Sequence, residues 1–412
     1  MRKVVVTGMG IVSPLGIGLE TNWKAIQEGR SGIAPIFLFD DPSGLATQFA
    51  GQVPDFDATR WMTPPEVRRY DRFLHFAVAA GLVAVEHSGL VIDDSNAKRV
   101  GCIVGVGLGG MPSLEQTIST RIATEKYRRV SPFFIPGLIA NMAPGLLSIY
   151  TGARGENWTA TSACASANHA FGAALRSIQA GACDAVIAGG AEAVVVPTTI
   201  AGFNAMKALS TRNESPDTAS RPFDKDRDGF VLGEGAGFLM LEAEELATAR
   251  GATIYGELAG FGATGDAHHI TAPRPDGSGA VDALEMALAD AGLNKEDIDY
   301  INAHGTSTPA NDVMETRAIK AVFGEHARAL AVSSTKSMTG HLLGAAAAVE
   351  AIYSLMAIRE GVLPPTMNHF EADPECDLDY VANEARQAKV TAALSNSLGF
   401  GGTNAAVAFR SY

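Results

Sequence analysis

Cysteine is scarce: four residues in 412, Cys102, Cys164, Cys183 and Cys376, all far apart. With no CxxC pair and no metal-ligand spacing, they exclude a disulfide scaffold and a thiolate zinc site and fit a reducing compartment. Aromatic residues make up only 7% of the chain, and no apolar run reaches the length needed to span a membrane. The opening Met1-Arg-Lys-Val-Val-Val-Thr-Gly8 enters a strand at once and is broken by glycine, which is unlike a signal peptide. These features predict a cytoplasmic protein. Positive charge is also in deficit, with 32 Lys and Arg against 45 Asp and Glu, a net charge of −13. That balance excludes a nucleic-acid surface, and any acidic partner has to meet a local basic patch.

What is abundant is small and apolar: 47% hydrophobic residues and 44 glycines. The composition reads as α/β with close packing, and the length asks for two domains or two similar halves. Short apolar strands alternate with helical patterns up to Gly251. A second such succession starts at Thr253, so the halves are expected at 1–251 and 252–412, although no repeat is visible in the residues themselves. Strands are predicted at Val4–Val6, Val100–Val104 and Ala185–Gly189, with Thr7–Pro14 as a glycine turn. Helices are predicted at Phe73–His87, Gly137–Tyr150 and Phe203–Leu209.

Reactive residue types recur where apolar runs end, the place at which α/β proteins build sites. Asn157-Trp-Thr-Ala-Thr-Ser-Ala-Cys164 leads from a β-prone stretch into a small-residue helix, a turn where the positive helix end favours thiolate over thiol. Asn302-Ala-His304-Gly-Thr306-Ser-Thr308 and Ser333-Ser-Thr-Lys336-Ser-Met-Thr-Gly-His341 are two further strand ends. Asn396-Ser-Leu-Gly-Phe400-Gly-Gly is a glycine turn between strands. A thiolate that accepts an acyl group and two imidazoles that hold an enolate oxygen suit one reaction. Metal binding by the two histidines lacks an i,i+4 spacing and an acidic third ligand. A Schiff-base role for Lys336 lacks a phosphate-binding loop for pyridoxal phosphate.

Together these motifs are highly specific, and from Val4 to Asn404 the chain resembles the β-ketoacyl-acyl carrier protein synthases, above all the synthase II branch that elongates long acyl chains. The resemblance implies a thiolase fold, two α/β halves stacked in five layers, and a homodimer that needs no redox cofactor. It implies Cys164 as acyl-accepting nucleophile, with its own N–H and that of Phe400 as oxyanion hole and Phe400 as gate. His304 and His341 would hold the malonyl thioester while CO₂ leaves, and Lys336 would orient them through Glu350. Leu108, where isoleucine is more usual, would line the acyl pocket with Ala163 and Phe203. Thr271, Thr306 and Thr308 would contact the pantetheine arm. A structural monovalent cation is implied near Asn302, Glu350, Ser395 and Asn396. The basic residues Arg68, Arg69, Arg128, Arg129 and Lys207 match a rim onto which the acidic carrier protein docks.

The reaction implied is decarboxylative condensation of an acyl-enzyme with malonyl-carrier protein to a 3-oxoacyl-carrier protein. Two rivals are the same chemistry in a dedicated polyketide or polyene pathway and a non-catalytic pairing subunit, against which the intact Cys164, His304 and His341 count. A thiolase would need a second cysteine as base, and neither Cys183 nor Cys376 lies in a suitable glycine turn.

Overall fold

The computed structural model describes residues 1–412. In the first half the principal strands are β1 (Val4–Ser13), β2 (Val100–Gly105), β3 (Asn157–Ala160), β4 (Ala185–Glu192) and β5 (Gly235–Ala243). They lie side by side as β1-β5-β4-β2-β3. The second half holds β6 (Gly256–Gly265), β7 (Tyr300–Asn302), β8 (Ala331–Ser333), β9 (Ala392–Gly399) and β10 (Thr403–Arg410), ordered β6-β10-β9-β7-β8. Counted within each half, the two orders are the same. So are the senses: β2 is parallel to β3 and β4, β7 is parallel to β8 and β9, and the remaining neighbours are antiparallel. A short antiparallel contact, Val5 opposite Glu257 and Val6 opposite Gly256, joins the two sets.

Helices α1 (Arg72–Ser88) and α2 (Met142–Thr151) cover the outer face of the first set. Between the sheets lie α3 (Ser166–Gln179) and α6 (Ala346–Glu360), while α4 (Ser278–Ala291) and α5 (Pro309–Phe323) cover the far side. The result is helix, sheet, helix, sheet, helix: the five-layered thiolase arrangement that the resemblance implies. Every residue of α6 from Ala346 to Ile358 is buried, as a helix covered by sheets on both sides must be. The largest apolar cluster runs through this middle layer. No helix is long and apolar enough to cross a membrane.

Three local expectations are corrected. Thr7–Pro14 is not a turn, because β1 continues to Ser13. Its glycines serve close packing against α1: a Cβ on Gly10 would lie 2.0 Å from the carbonyl oxygen of Ala80. The run Gly137–Tyr150 is two helices, Phe134–Leu138 and α2, with Pro144 in the first turn of α2 where no N–H is required. The third is Phe203–Leu209: its helix sits earlier, at Pro197–Ala205, and Lys207 occupies the turn beyond it with φ of +54°.

Candidate active site

The parallel strands deliver their carboxyl ends to one crevice. Cys164 follows β3 on a tight turn in which Ala163 holds φ of +51°, a conformation that L-residues avoid. The turn is fixed from both sides. Ser162 donates its N–H to Ser166 Oγ at 2.9 Å, and its carbonyl accepts the Thr403 hydroxyl at 3.0 Å. His304 follows β7, Lys336 and His341 follow β8, and Phe400 lies in the turn between β9 and β10.

Cys164 Sγ lies 3.0 Å from His341 Nε2, and the sulfur and the two histidine rings present atoms within 4.8 Å of one another. The imidazoles stand nearly perpendicular, at 84° with centroids 5.3 Å apart. His341 Nδ1 accepts the N–H of Leu343 at 3.3 Å, which leaves its proton on Nε2, directed at the sulfur. Glu315, on α5, accepts the N–H groups of both His304 and Gly305 at 2.7 Å and so fixes the His304 loop.

Burial sets the protonation states. It holds His304 and His341 well below the usual imidazole value, and the Lys336 ammonium adds to the effect, so both are neutral donors. Burial pushes the Cys164 thiol up to about 11, against the pull of Lys336 and of the N–H groups of Phe400 and Cys164. This corrects the expectation of a resting thiolate, since the helix end does not outweigh the loss of water. Lys336 itself is buried and paired with equally buried Glu350. The Cys164, His304 and His341 atoms are also close enough together to ligate a metal, but burial holds Cys164 as the thiol, whereas the metal-ligating form of the sulfur is the thiolate.

These groups open into a cavity of about 490 Å³. Its lining includes the sequence-predicted Leu108, Ala163, Cys164, Phe203, Lys207, Thr271, His304, Thr306, Thr308, His341 and Phe400. The Thr306 and Thr308 hydroxyls are 3.0 Å apart. Lys336 stands behind the wall with Glu350. Arg68, Arg69, Arg128 and Arg129 lie outside the cavity, exposed, with the Arg69 guanidinium 4.7 Å from the centroid of the Phe133 ring. None of these four, nor Lys207, takes part in an ion pair.

Behind β7 and β9 the buried oxygens Asn302 Oδ1, Ser395 Oγ, Asn396 Oδ1 and Glu350 Oε2 have no hydrogen-bond partner. Asn302 and Ser395 are directly paired in the sheet. A set of uncharged oxygens beside a carboxylate already matched by Lys336 suits a hard monovalent cation.

Sequence reasoning missed Glu315 and Glu192, the buried carboxylates that hold the site's loops. The signal for Glu192 was there, an acid closing an otherwise apolar strand. It also missed Phe230, whose ring meets that of His341 edge-on at 5.5 Å.

The family model described as "Beta-ketoacyl synthase, N-terminal domain" matches residues 1–247, and "Beta-ketoacyl synthase, C-terminal domain" matches 255–370. The 3-oxoacyl-[acyl-carrier-protein] synthase 2 of Synechocystis sp. is 53% identical over 411 residues, 100% of this chain and 98% of that one. The protein of the same name from Coxiella burnetii is 51% identical over 403 residues, 98% and 97% of the two chains. Among solved structures, the ishigamide ketosynthase/chain length factor superposes with a TM-score of 0.93 at 38% identity, covering 100% and 99%. A ketosynthase solved with its type II polyketide acyl-carrier protein and bound to the hexaketide gives 0.92 at 33%, covering 100% of both chains.

Because the thiolate is the species that reacts, iodoacetamide alkylation of Cys164 should accelerate about tenfold per pH unit from neutrality into the alkaline range. Replacing Lys336 by Met together with Glu350 by Gln removes the cation without stranding a buried charge, and should slow alkylation at every pH below the midpoint. A rate independent of pH between about 7 and 9 would mean that the resting sulfur is already ionised.

Proposed function

The chain belongs to the β-ketoacyl synthase family, and on that premise we propose that it is a 3-oxoacyl-[acyl-carrier-protein] synthase of fatty acid elongation, joining an acyl group held on Cys164 to malonyl-carrier protein with loss of CO₂. The observation that carries the reading is the 3.0 Å approach of Cys164 Sγ and His341 Nε2, with His304 alongside, within an apolar cavity. The curated relatives at 53% and 51% identity are named for this reaction, whereas the ishigamide ketosynthase/chain length factor and the type II polyketide ketosynthase are 38% and 33% identical, which favours the fatty acid reading. The complete trio of Cys164, His304 and His341 favours an enzyme over a pairing subunit.

In the first step Cys164 attacks the acyl thioester, the N–H groups of Cys164 and Phe400 receive the carbonyl oxygen, and the carrier leaves as its thiol with the proton given up by the cysteine. The malonyl carrier then enters. As CO₂ departs, its electron pair moves into the thioester carbonyl, whose oxygen is met by the two neutral imidazoles. The resulting carbanion attacks the acyl-cysteine carbonyl, and the sulfur leaves as thiolate and takes a proton from water, replacing the one that the first carrier carried away. Lys336 is a positioning residue, tied to Glu350 on α6. Thr271, Thr306 and Thr308 suit the polar pantetheine arm, while Leu108, Ala163 and Phe203 suit the alkyl chain. Phe400 gates the cavity.

Cys164→Ala should abolish condensation. His304→Ala and His341→Ala should each lower kcat of condensation by about 10²–10³-fold while still forming the acyl-enzyme. Acylation lost together with condensation in both histidine variants would overturn the division of roles.

The carrier is proposed to dock on Arg68, Arg69, Arg128, Arg129 and Lys207, five exposed cations with no acidic partner of their own. Arg68→Glu with Arg129→Glu should raise KM for carrier substrates about tenfold at low salt and flatten the salt dependence, without altering Cys164 alkylation. An unchanged KM would remove this surface from consideration.

The orphan oxygens of Asn302, Ser395, Asn396 and Glu350 are proposed to hold a monovalent cation, which would fix the strand leading to His304. Exchange of potassium for tetramethylammonium at equal ionic strength should lower Tm by about 2 °C or more, and no shift would argue against the ion. A homodimer is proposed through β3, an edge strand hydrogen-bonded on one side only, with Trp158 40% exposed. A monomeric mass in solution would refute it. The four unpaired cysteines support the cytoplasm as the working compartment, and a secreted, oxidised protein in cell fractionation would contradict that.

A further inference from the structure

Glu192 ends β4 with no exposure to solvent and no cation in contact with it. Its carboxylate instead accepts backbone N–H groups from two separate loops. After β2 the donors are Gly107 at 2.7 Å, Leu108 at 3.1 Å and Gly109 at 3.0 Å; the fourth is Gly344, three residues past His341, at 3.1 Å. Every neighbour is a donor, so only an ionised carboxylate satisfies them all. An amide in its place would turn its own N–H₂ toward at least one of these N–H groups. The cradle is also closed to side chains, since a Cβ on residue 107 would lie 2.5 Å from Glu192 Oε2.

The two loops have different tasks. One presents Leu108 to the cavity, and the other continues directly from His341 into α6. A single buried carboxylate therefore ties the wall that would meet the alkyl chain to the segment that carries a reacting imidazole. We propose that Glu192 is a positioning residue that sets acyl-chain selectivity by clamping the Leu108 turn to the His341 loop. This rests on the function proposed above.

Burial pushes the Glu192 carboxyl up to about 7, against its four N–H donors. The clamp is therefore best tested above neutrality.

The test is Glu192→Gln at about pH 8, compared with wild type across acyl-carrier substrates from short to long. The ratio of kcat/KM between long and short chains should change about tenfold or more, because the Leu108 turn is no longer held. A folded variant that loses rate equally at all chain lengths overturns the proposal. If the amide variant does not fold, Glu192→Asp decides: it keeps the charge but shortens the reach, so selectivity should change, and unchanged selectivity overturns the clamp. Wild type that accepts no acyl group at any length would sink the proposed function instead.

Discussion

Two helices pressed between two sheets leave α6 no side open to water and α3 only the edge that carries Arg176, and the rest of the structure follows from that constraint. α3 and α6 have to be slim, and they are: Ala167, Ala170 and Ala174 on one, Ala346, Ala347, Ala348 and Ala351 on the other, all buried. Both helices also begin at the same place. α3 starts two residues after Cys164, and α6 starts five residues after His341. Their N-terminal ends, with the positive potential of the helix dipole, thus converge where an acyl carbonyl would develop negative charge. The site lies at this junction because both middle-layer helices start there.

In so dry a layer each charge needs its own answer. Lys336 and Glu350 answer one another, and removing either partner alone would cost about 3–5 kcal/mol by stranding the other. Glu192 and Glu315 are answered by backbone N–H groups and by the amide nitrogens of Asn311 and Asn396. The histidines are answered by remaining neutral. Hydrogen bonds from their ring nitrogens can then be offered to an oxyanion without first losing a proton, while Lys336 supplies a fixed positive potential that takes no part in proton transfer.

The site was legible in the chain because polar reactive residues stood at the ends of apolar runs: Cys164, His304, Lys336, His341 and Phe400 could each be singled out this way, and the structure brings four of them to the cavity wall with Lys336 behind. The alternation of strands and helices was legible as well, and with it two stacked α/β halves; the five layers came from the family resemblance that the site motifs carry. The repeated strand order was not, because strand order depends on which edges meet, and Val4–Ser13 and Gly256–Gly265 share that role with different residues. The state of the Cys164 thiol was misjudged because burial outweighs the helix end, and burial belongs to the assembled layers. Gly8 and Gly10 looked like a turn for a related reason: what they meet, the backbone of α1, lies some seventy residues further along.

The central claim is that acyl transfer and condensation pass through one sulfur. Single-turnover intact-protein mass spectrometry on the wild-type protein, first mixed with a long-chain acyl-carrier protein and then with malonyl-carrier protein, tests it most directly. The account predicts one acyl adduct per chain, mapped to the peptide containing Cys164, which disappears as an equal amount of CO₂ and 3-oxoacyl-carrier protein forms. Condensation product appearing without that adduct, or an adduct on another residue that is consumed in its place, would contradict it.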